Sequence, residues 1–282
     1  MRILPKRQKV AVVEIFGTIG GGVKSPAYER IFSSVRRDRS LRALVLDIDS
    51  PGGSVQASEY LYHAVARIAE EKPVVACIRG IGASGGYFIS CAAHRIVASP
   101  GAIVGSVGVI SIRPVLETLL QRVGVSVSVN KSGEFKDMGA LWRGATPAET
   151  QKMQALVDES FDRFVSVVAG SRHMNEDAVR DLATGEVFWA PRAQELGLVD
   201  ELGDLDRAID LAAEMSGARL HEAQARLQGA AFRATGSVVG RVRHRRGGAQ
   251  AMDELSAILT SRPPTQGTAG SAQPYRQIPT ET

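Results

Sequence analysis

Cysteine is scarce in this chain: two residues, Cys77 and Cys91, among 282. Both sit in apolar surroundings without metal-ligand spacing, which argues against a disulfide framework and a cysteine-built metal site. The expectation is two buried free thiols in a reducing compartment. Long apolar runs are absent as well. No stretch approaches the ~20 residues that a membrane-crossing helix requires. The lead Met1-Arg2-Ile3-Leu4-Pro5-Lys6-Arg7 is basic but lacks the apolar stretch of a secretory signal. A cytoplasmic protein follows as the expectation, with any membrane association peripheral. Charge of one sign is also in short supply. Lys and Arg number 34 against 30 Asp and Glu, a net +4, and much of the excess sits in Arg241-Val242-Arg243-His244-Arg245-Arg246. That gives no reason to expect specific nucleic-acid binding by the folded part.

What is present is ordinary globular composition, 44% hydrophobic and 23% charged, arranged as alternating strands and helices. Residues 10–15 read as a buried first strand, and Thr18-Ile19-Gly20-Gly21-Gly22 as a flexible turn. Ser25-Pro26 opens a helix that carries Tyr28, Ile31, Phe32 and Val35 on one side. Leu44–Ile48 is a second strand, ending in the turn Asp49-Ser50-Pro51-Gly52-Gly53. A helix over about 57–70 and a strand over 74–78 follow. This alternation predicts α/β layers around a largely parallel sheet. Ser126–Asn130 reads as a late strand, 131–146 as a polar loop, and Pro147 to about Gly170 as a long amphipathic helix. Its apolar face holds Met153, Leu156, Val157, Phe161, Phe164, Val165 and Val168. A strand-like Val187-Phe188-Trp189 and two short helices fill 186–216. The expected organisation is a basic lead over 1–7, one domain over 8–218, and a mostly disordered basic tail over 219–282, with one short helix at Met252–Leu259.

The feature that points to chemistry is Gly82-Ala83-Ser84-Gly85-Gly86-Tyr87. It fits G-x-S-x-G directly after an apolar strand. Small neighbours let the backbone bend sharply and let a substrate approach Ser84 Oγ, and a following helix N-terminus offers free N–H groups to an oxyanion. A nucleophilic serine needs a base. Of the five histidines, His63 precedes the serine, His94 lies ten residues past it and His244 is in the tail. His173 and His221 sit at helix ends among charged residues, as solvated surface histidines do. A neutral lysine can do the same work, although only about one free lysine in 2500 is deprotonated at pH 7. Lys136, in Lys131-Ser132-Gly133-Glu134-Phe135-Lys136-Asp137-Met138-Gly139, lies among aromatic and apolar residues that could lower its pKa.

Four motifs in order, Asp49–Gly53, Gly82–Tyr87, Gly105-Ser106-Val107-Gly108-Val109 and Ser132–Asp137, resemble the signal peptide peptidase SppA family, the S49 serine peptidases. The later Ala193–Gly203 is similar to that family too. The resemblance covers about 8–216, and the Ser84 to Lys136 spacing suits the short, single-repeat members. It implies a ClpP/crotonase-like fold: repeated ββα units, a layered, largely parallel sheet and an added helical segment. It further implies Ser84 as nucleophile, Lys136 as general base and Ser106 as its orienting partner. Backbone N–H groups of Gly52 or Gly53, and of Gly85, would form the oxyanion hole. No metal or cofactor is implied. The activity implied is a serine endopeptidase with a Ser-Lys dyad that cleaves extended apolar peptides such as remnant signal peptides. Homo-oligomers whose sites are shared between neighbouring protomers are implied as well. A Ser-His esterase or lipase, an acyl-CoA crotonase-like enzyme and a phage-type capsid-maturation peptidase stand as alternatives. Arg241, Arg243, Arg245 and Arg246 offer the tail a contact with anionic lipid or RNA, against the plainer role of a solubilising linker.

Overall fold

Aliphatic strands separated by amphipathic helices build the sheet. In the computed structural model, which describes residues 9–217, β1 (Lys9–Phe16) is followed by α1 (Ser25–Arg37), β2 (Leu41–Ser50), α2 (Val55–Ala69), β3 (Val74–Ala83) and α3 (Gly85–Ser90). Then come β4 (Arg95–Ala98), β5 (Ile103–Gly105), α4 (Glu117–Arg122), α5 (Pro147–Arg172), α6 (Glu176–Leu182), β6 (Val187–Trp189), α7 (Ala190–Glu195), β7 (Glu201–Leu202) and α8 (Leu205–Ser216). The basic lead, the tail with its arginine run, the helix expected at Met252–Leu259, and His221 and His244 lie outside the described residues.

The main path of the sheet runs β1-β2-β3-β4-β7, all parallel. β5 pairs in parallel with the end of β3, and β6 runs antiparallel to β5. Central strands of a parallel sheet are covered on both faces and read as continuous apolar runs. β2 obeys this: Ala43, Leu44, Val45, Leu46 and Ile48 are wholly buried. One face packs against α1, α2, α3 and the C-terminal half of α5. The other receives α8 through Ala208, Ile209 and Ala212, set against Ala43, Val45, Val75, Cys77 and Val97. The α/β class and the parallel sheet are as expected from the alternation. Both thiols are buried and free.

Several elements depart from the sequence reading. β3 continues five residues past Ile78, directly to Ser84. β4, β5, α4, α6 and β7 are too short to carry a periodic signal. The strand expected at Ser126–Asn130 does not form. Val125, Val127 and Val129 alternate as strand residues do, but among the described residues they are exposed and meet no neighbouring strand. A period of two needs a partner to become a strand. The long helix runs to Arg172. Thr146 and Glu149 close a capping box at its start, and His173 (φ 53°) ends it in a left-handed turn. Phe164, Val165 and Val168 of its expected apolar face are buried, whereas Leu156 is exposed. Among the described residues, no helix is long and apolar enough to cross a membrane.

Candidate active site

Ser84 is the single residue between β3 and α3, at φ 50° and ψ −122°, a setting that residues other than glycine rarely adopt. Backbone bonds hold it there. Its N–H donates to Gly105 C=O at 2.8 Å, and its C=O accepts from Phe88 N–H at 2.9 Å. Behind it α3 is buried throughout, and Tyr87 O–H donates to Leu198 C=O at 2.8 Å. Burial holds the Tyr87 hydroxyl well above its ordinary value, so it remains a protonated donor.

Glycines let two backbone segments close on the serine. A Cβ on Gly52 (φ +97°) would lie 2.7 Å from both Ser84 Cβ and Gly85 N. One on Gly53 (φ +153°) would lie 2.1 Å from Ile19 O. The missing side chain at Gly53 lets Ile19 pair with this turn: Ile19 N–H donates to Gly52 C=O at 2.8 Å, and Ser54 N–H to Ile19 C=O at 2.9 Å. Gly52 N–H is also engaged, donating to Ser50 Oγ at 3.2 Å. By contrast, among the described residues nothing accepts from the N–H of Gly53 or of Gly85.

Gly53, Ser84 and Gly85 all line a cavity of about 290 Å³. Its apolar lining is Val55, Phe88, Val109 and Phe164, and Glu59, Glu159 and Arg163 stand among its charged groups. Arg163 Nε and Nη2 donate to Glu59 Oε1 at 3.0 and 2.8 Å. Ser106 (φ 51°) follows β5, and Gly105 is the cross-strand partner of Ala83. Ser84 and Ser106 therefore leave neighbouring parallel strands side by side. The structure thus brings together Ser84, Ser106, Gly52, Gly53 and Gly85.

Lys136 is not among them. It is exposed on the 131–146 loop and lies outside the cavity lining, and among the described residues no group accepts from its Nζ. Its loop is nevertheless well anchored. Arg143 Nη1 donates to Glu149 Oε2 at 2.8 Å, and Arg143 Nε to Asp137 Oδ2 at 3.0 Å. Lys131 Nζ adds a bond to Asp137 Oδ1 at 2.7 Å. Arg143 holds the Glu149 carboxyl down to about 2, and together with Lys131 it keeps Asp137 well below the carboxylate range. Sequence reasoning missed Arg143 and Glu149. The signal was there in Thr146-Pro147-Ala148-Glu149, a helix-start box with proline at the first helical position.

The loop also belongs to an apolar arm that no other described residue covers. Ile110 is 79% exposed and Ile112 83%. Val115, Leu119, Val123, Val125, Val127, Val129 and Phe135 are exposed with them, and α4 buries no residue.

Other candidate groups are otherwise occupied. His63 Nε2 lies 2.9 Å from Glu59, His94 Nδ1 accepts from Val74 N–H at 3.1 Å, and His173 caps α5. None of the three lines the cavity. Burial pushes the Cys77 and Cys91 thiols up to about 12, so neither is a thiolate at neutral pH.

A serine at a strained strand-to-helix turn, beside unpaired backbone donors, is the arrangement in which serine hydrolases hold a nucleophile. The family model of peptidase family S49 matches residues 66–219, and that of Clp protease matches 19–104. A protease-named protein of Synechocystis sp., slr0021, is 39% identical over 211 residues, 75% of this chain and 76% of its own. Protease 4 of Salmonella typhi is 35% identical over 201 residues, 71% of this chain and 32% of its own. The chloroplastic serine protease SPPA of Arabidopsis thaliana is 30% identical over 227 residues, 77% of this chain and 34% of its own. The chain spans about a third of these two longer relatives. A ClpP1 variant from Listeria monocytogenes aligns over 70% of this chain and 94% of its own, at 14% identity and a TM-score of 0.49, too low to add to the sequence matches. The chain belongs to peptidase family S49 and is a serine peptidase.

Proposed function

We propose that Ser84 is the nucleophile of an endopeptidase, with Lys136 as its general base and Ser106 orienting the lysine. The observation that carries this reading is the pair of unpaired N–H groups, Gly53 and Gly85, on the cavity wall that holds Ser84. Of the two glycines in the turn, Gly53 is the donor we assign. Gly52 N–H is engaged by Ser50, and Gly52 C=O is engaged by Ile19. In a trans peptide the N–H points opposite to the C=O. Pinning Gly52 C=O toward Ile19 therefore turns Gly53 N–H away from Ile19.

In this mechanism neutral Lys136 takes the proton from Ser84 Oγ as the oxygen bonds to a peptide carbonyl carbon. The oxyanion is held by Gly53 and Gly85, each worth about 3 kcal/mol. The lysinium then protonates the leaving amine as the C–N bond breaks. Water, deprotonated in turn by the lysine, hydrolyses the acyl-enzyme. An exposed Lys136 outside the cavity supports a base supplied by a second copy, and the uncovered apolar arm supports a homo-oligomer. The apolar lining suits extended apolar peptides, of which remnant signal peptides are one source. Wild type, Ser84→Ala and Lys136→Ala are to be compared on a fluorogenic apolar peptide. Both single variants should be inactive, and mixing them with subunit exchange should restore part of the activity. Full activity in Lys136→Ala overturns the dyad.

A further inference from the structure

We propose that Ser50 is a positioning residue for the oxyanion hole. The proposal rests on the assignment of Gly53 as an oxyanion donor. Ser50 is wholly buried at the end of β2, and its hydroxyl both donates and accepts. Oγ–H donates to Gly17 C=O at 2.7 Å, and the same oxygen accepts from Gly52 N–H at 3.2 Å. One hydroxyl thereby joins the residue that follows β1 to the turn that carries the oxyanion donor.

The turn has few other restraints. Gly52 sits at φ +97°, and neither it nor Gly53 has a side chain to pack. Two bonds fix the peptide units on either side of the Gly52 Cα. Ser50 holds the Pro51–Gly52 unit through its N–H, and Ile19 holds the Gly52–Gly53 unit through its C=O. With both fixed, the φ and ψ of Gly52 are set, and so is the direction of Gly53 N–H. Without the Ser50 bond the two Ile19 bonds still hold the peptide units that follow Gly52, but the Pro51–Gly52 unit is released and can turn about a residue with no Cβ to resist it. Ser50 also abuts Gly86, the residue after the other donor. A Cβ on Gly86 would meet Ser50 O at 2.8 Å and Ser50 Cβ at 3.3 Å, so the start of α3 rests on Ser50. Ser50 underlies both arms of the hole without reaching the cavity, whose lining excludes it.

A donor aimed at the developing oxyanion acts on the transition state more than on bound substrate. Removal of the hydroxyl should therefore lower kcat by ~10–100-fold and leave KM within about twofold. A peptide aldehyde, which forms a tetrahedral adduct with the serine, should lose affinity by the same factor. A product peptide should bind Ser50→Ala as it binds wild type. Ser50→Thr and Ser50→Val form a second pair that differ by the hydroxyl at nearly equal volume, so their ratio reports the hydroxyl if Ser50→Ala fails to fold. Thr should exceed Val in kcat and in aldehyde affinity. Equal kcat in Ser50→Ala and wild type, equal values for Thr and Val, or a parallel loss of product-peptide affinity would each overturn the positioning role. The oxyanion assignment fails separately, if Gly53→Ala retains wild-type kcat and aldehyde affinity.

Discussion

Arg172 offers a test of how α5 is held over the site. Its side chain is 7% exposed, and Nη1 and Nη2 donate to Asp200 Oδ2 and Oδ1 at 3.0 and 2.9 Å. Nε donates to Gly197 C=O at 2.8 Å. The pair ties the end of α5 to the segment that enters β7, and α5 supplies Glu159, Arg163 and Phe164 to the cavity. Removing one partner of a buried pair costs about 3–5 kcal/mol. The low end applies here, because Asp200 keeps Ile96 N–H at 2.6 Å and the half-exposed Arg95 at 3.5 Å. For a domain of this size each kcal/mol moves Tm by about 2–4 °C. Arg172→Met should therefore melt about 6–12 °C below wild type at pH 7 and equal protein concentration. The sign of the pH dependence follows from Asp200. Burial opposes its ionisation, but Arg172 and the Ile96 N–H outweigh burial and hold its carboxyl below the ordinary value. A depressed folded pKa gives stability that is complete above the unfolded value, near ~3.9, and is lost as pH falls through the folded one. The gap between wild type and Arg172→Met should stay constant from pH 8 to 5 and narrow below about pH 4. A variant melting within ~2 °C of wild type at pH 7, or a gap unchanged at pH 3, would refute the clamp.

Arg143→Ala should cut kcat by ~10–100-fold by loosening the loop that carries Lys136, with near-native circular dichroism. Arg143 depresses Glu149 to about 2, so the stabilisation from this contact is full above the ordinary value near ~4.3 and fades as pH falls toward 2; acid titration of the Tm checks it. Gly53→Ala should lower kcat by ~10²–10³-fold and also lower the Tm, because its Cβ would stand 2.1 Å from Ile19 O. Ile112→Glu, at an 83% exposed position, should leave the fold intact but shift the protein to smaller species on size exclusion and abolish cleavage together with assembly. Native protein should resist maleimide at pH 7 and react at both cysteines only after unfolding, since both thiols are pushed up to about 12.

The sheet and the serine turn were legible because both are written locally. Leu44–Ile48 and Val74–Ile78 are continuous apolar runs, and the glycines around Ser84 mark a backbone that must bend. What stayed illegible depends on contacts distant in sequence. β5 is three residues long and exists because β3 overruns Ile78 and offers it an edge. The Ser50 and Ile19 bonds that set Gly52 apart from Gly53 are contacts that motif spacing does not contain. Val125, Val127 and Val129 show the converse error. Their alternation is real, but among the described residues no strand lies beside them.

The strain at Ser84 links the fold to its use. A non-glycine residue at φ 50° costs on the order of 1–3 kcal/mol. Its two backbone hydrogen bonds and the buried α3 behind it over-determine the turn, so it cannot relax by moving the serine alone. Relaxation would require α3 to withdraw, which would break the Tyr87 bond to Leu198 and unseat Phe88 from Phe164, whose ring lies 5.2 Å away. The aromatic wall of the cavity and the rigidity of the serine are therefore one structural fact. Phe164→Ala should reveal this as two coupled losses. Large-to-small truncation in a core costs about 3–5 kcal/mol, and kcat should fall along with the affinity for apolar peptides. A variant that lost only peptide affinity, with kcat and Tm unchanged, would show that the wall and the turn are independent.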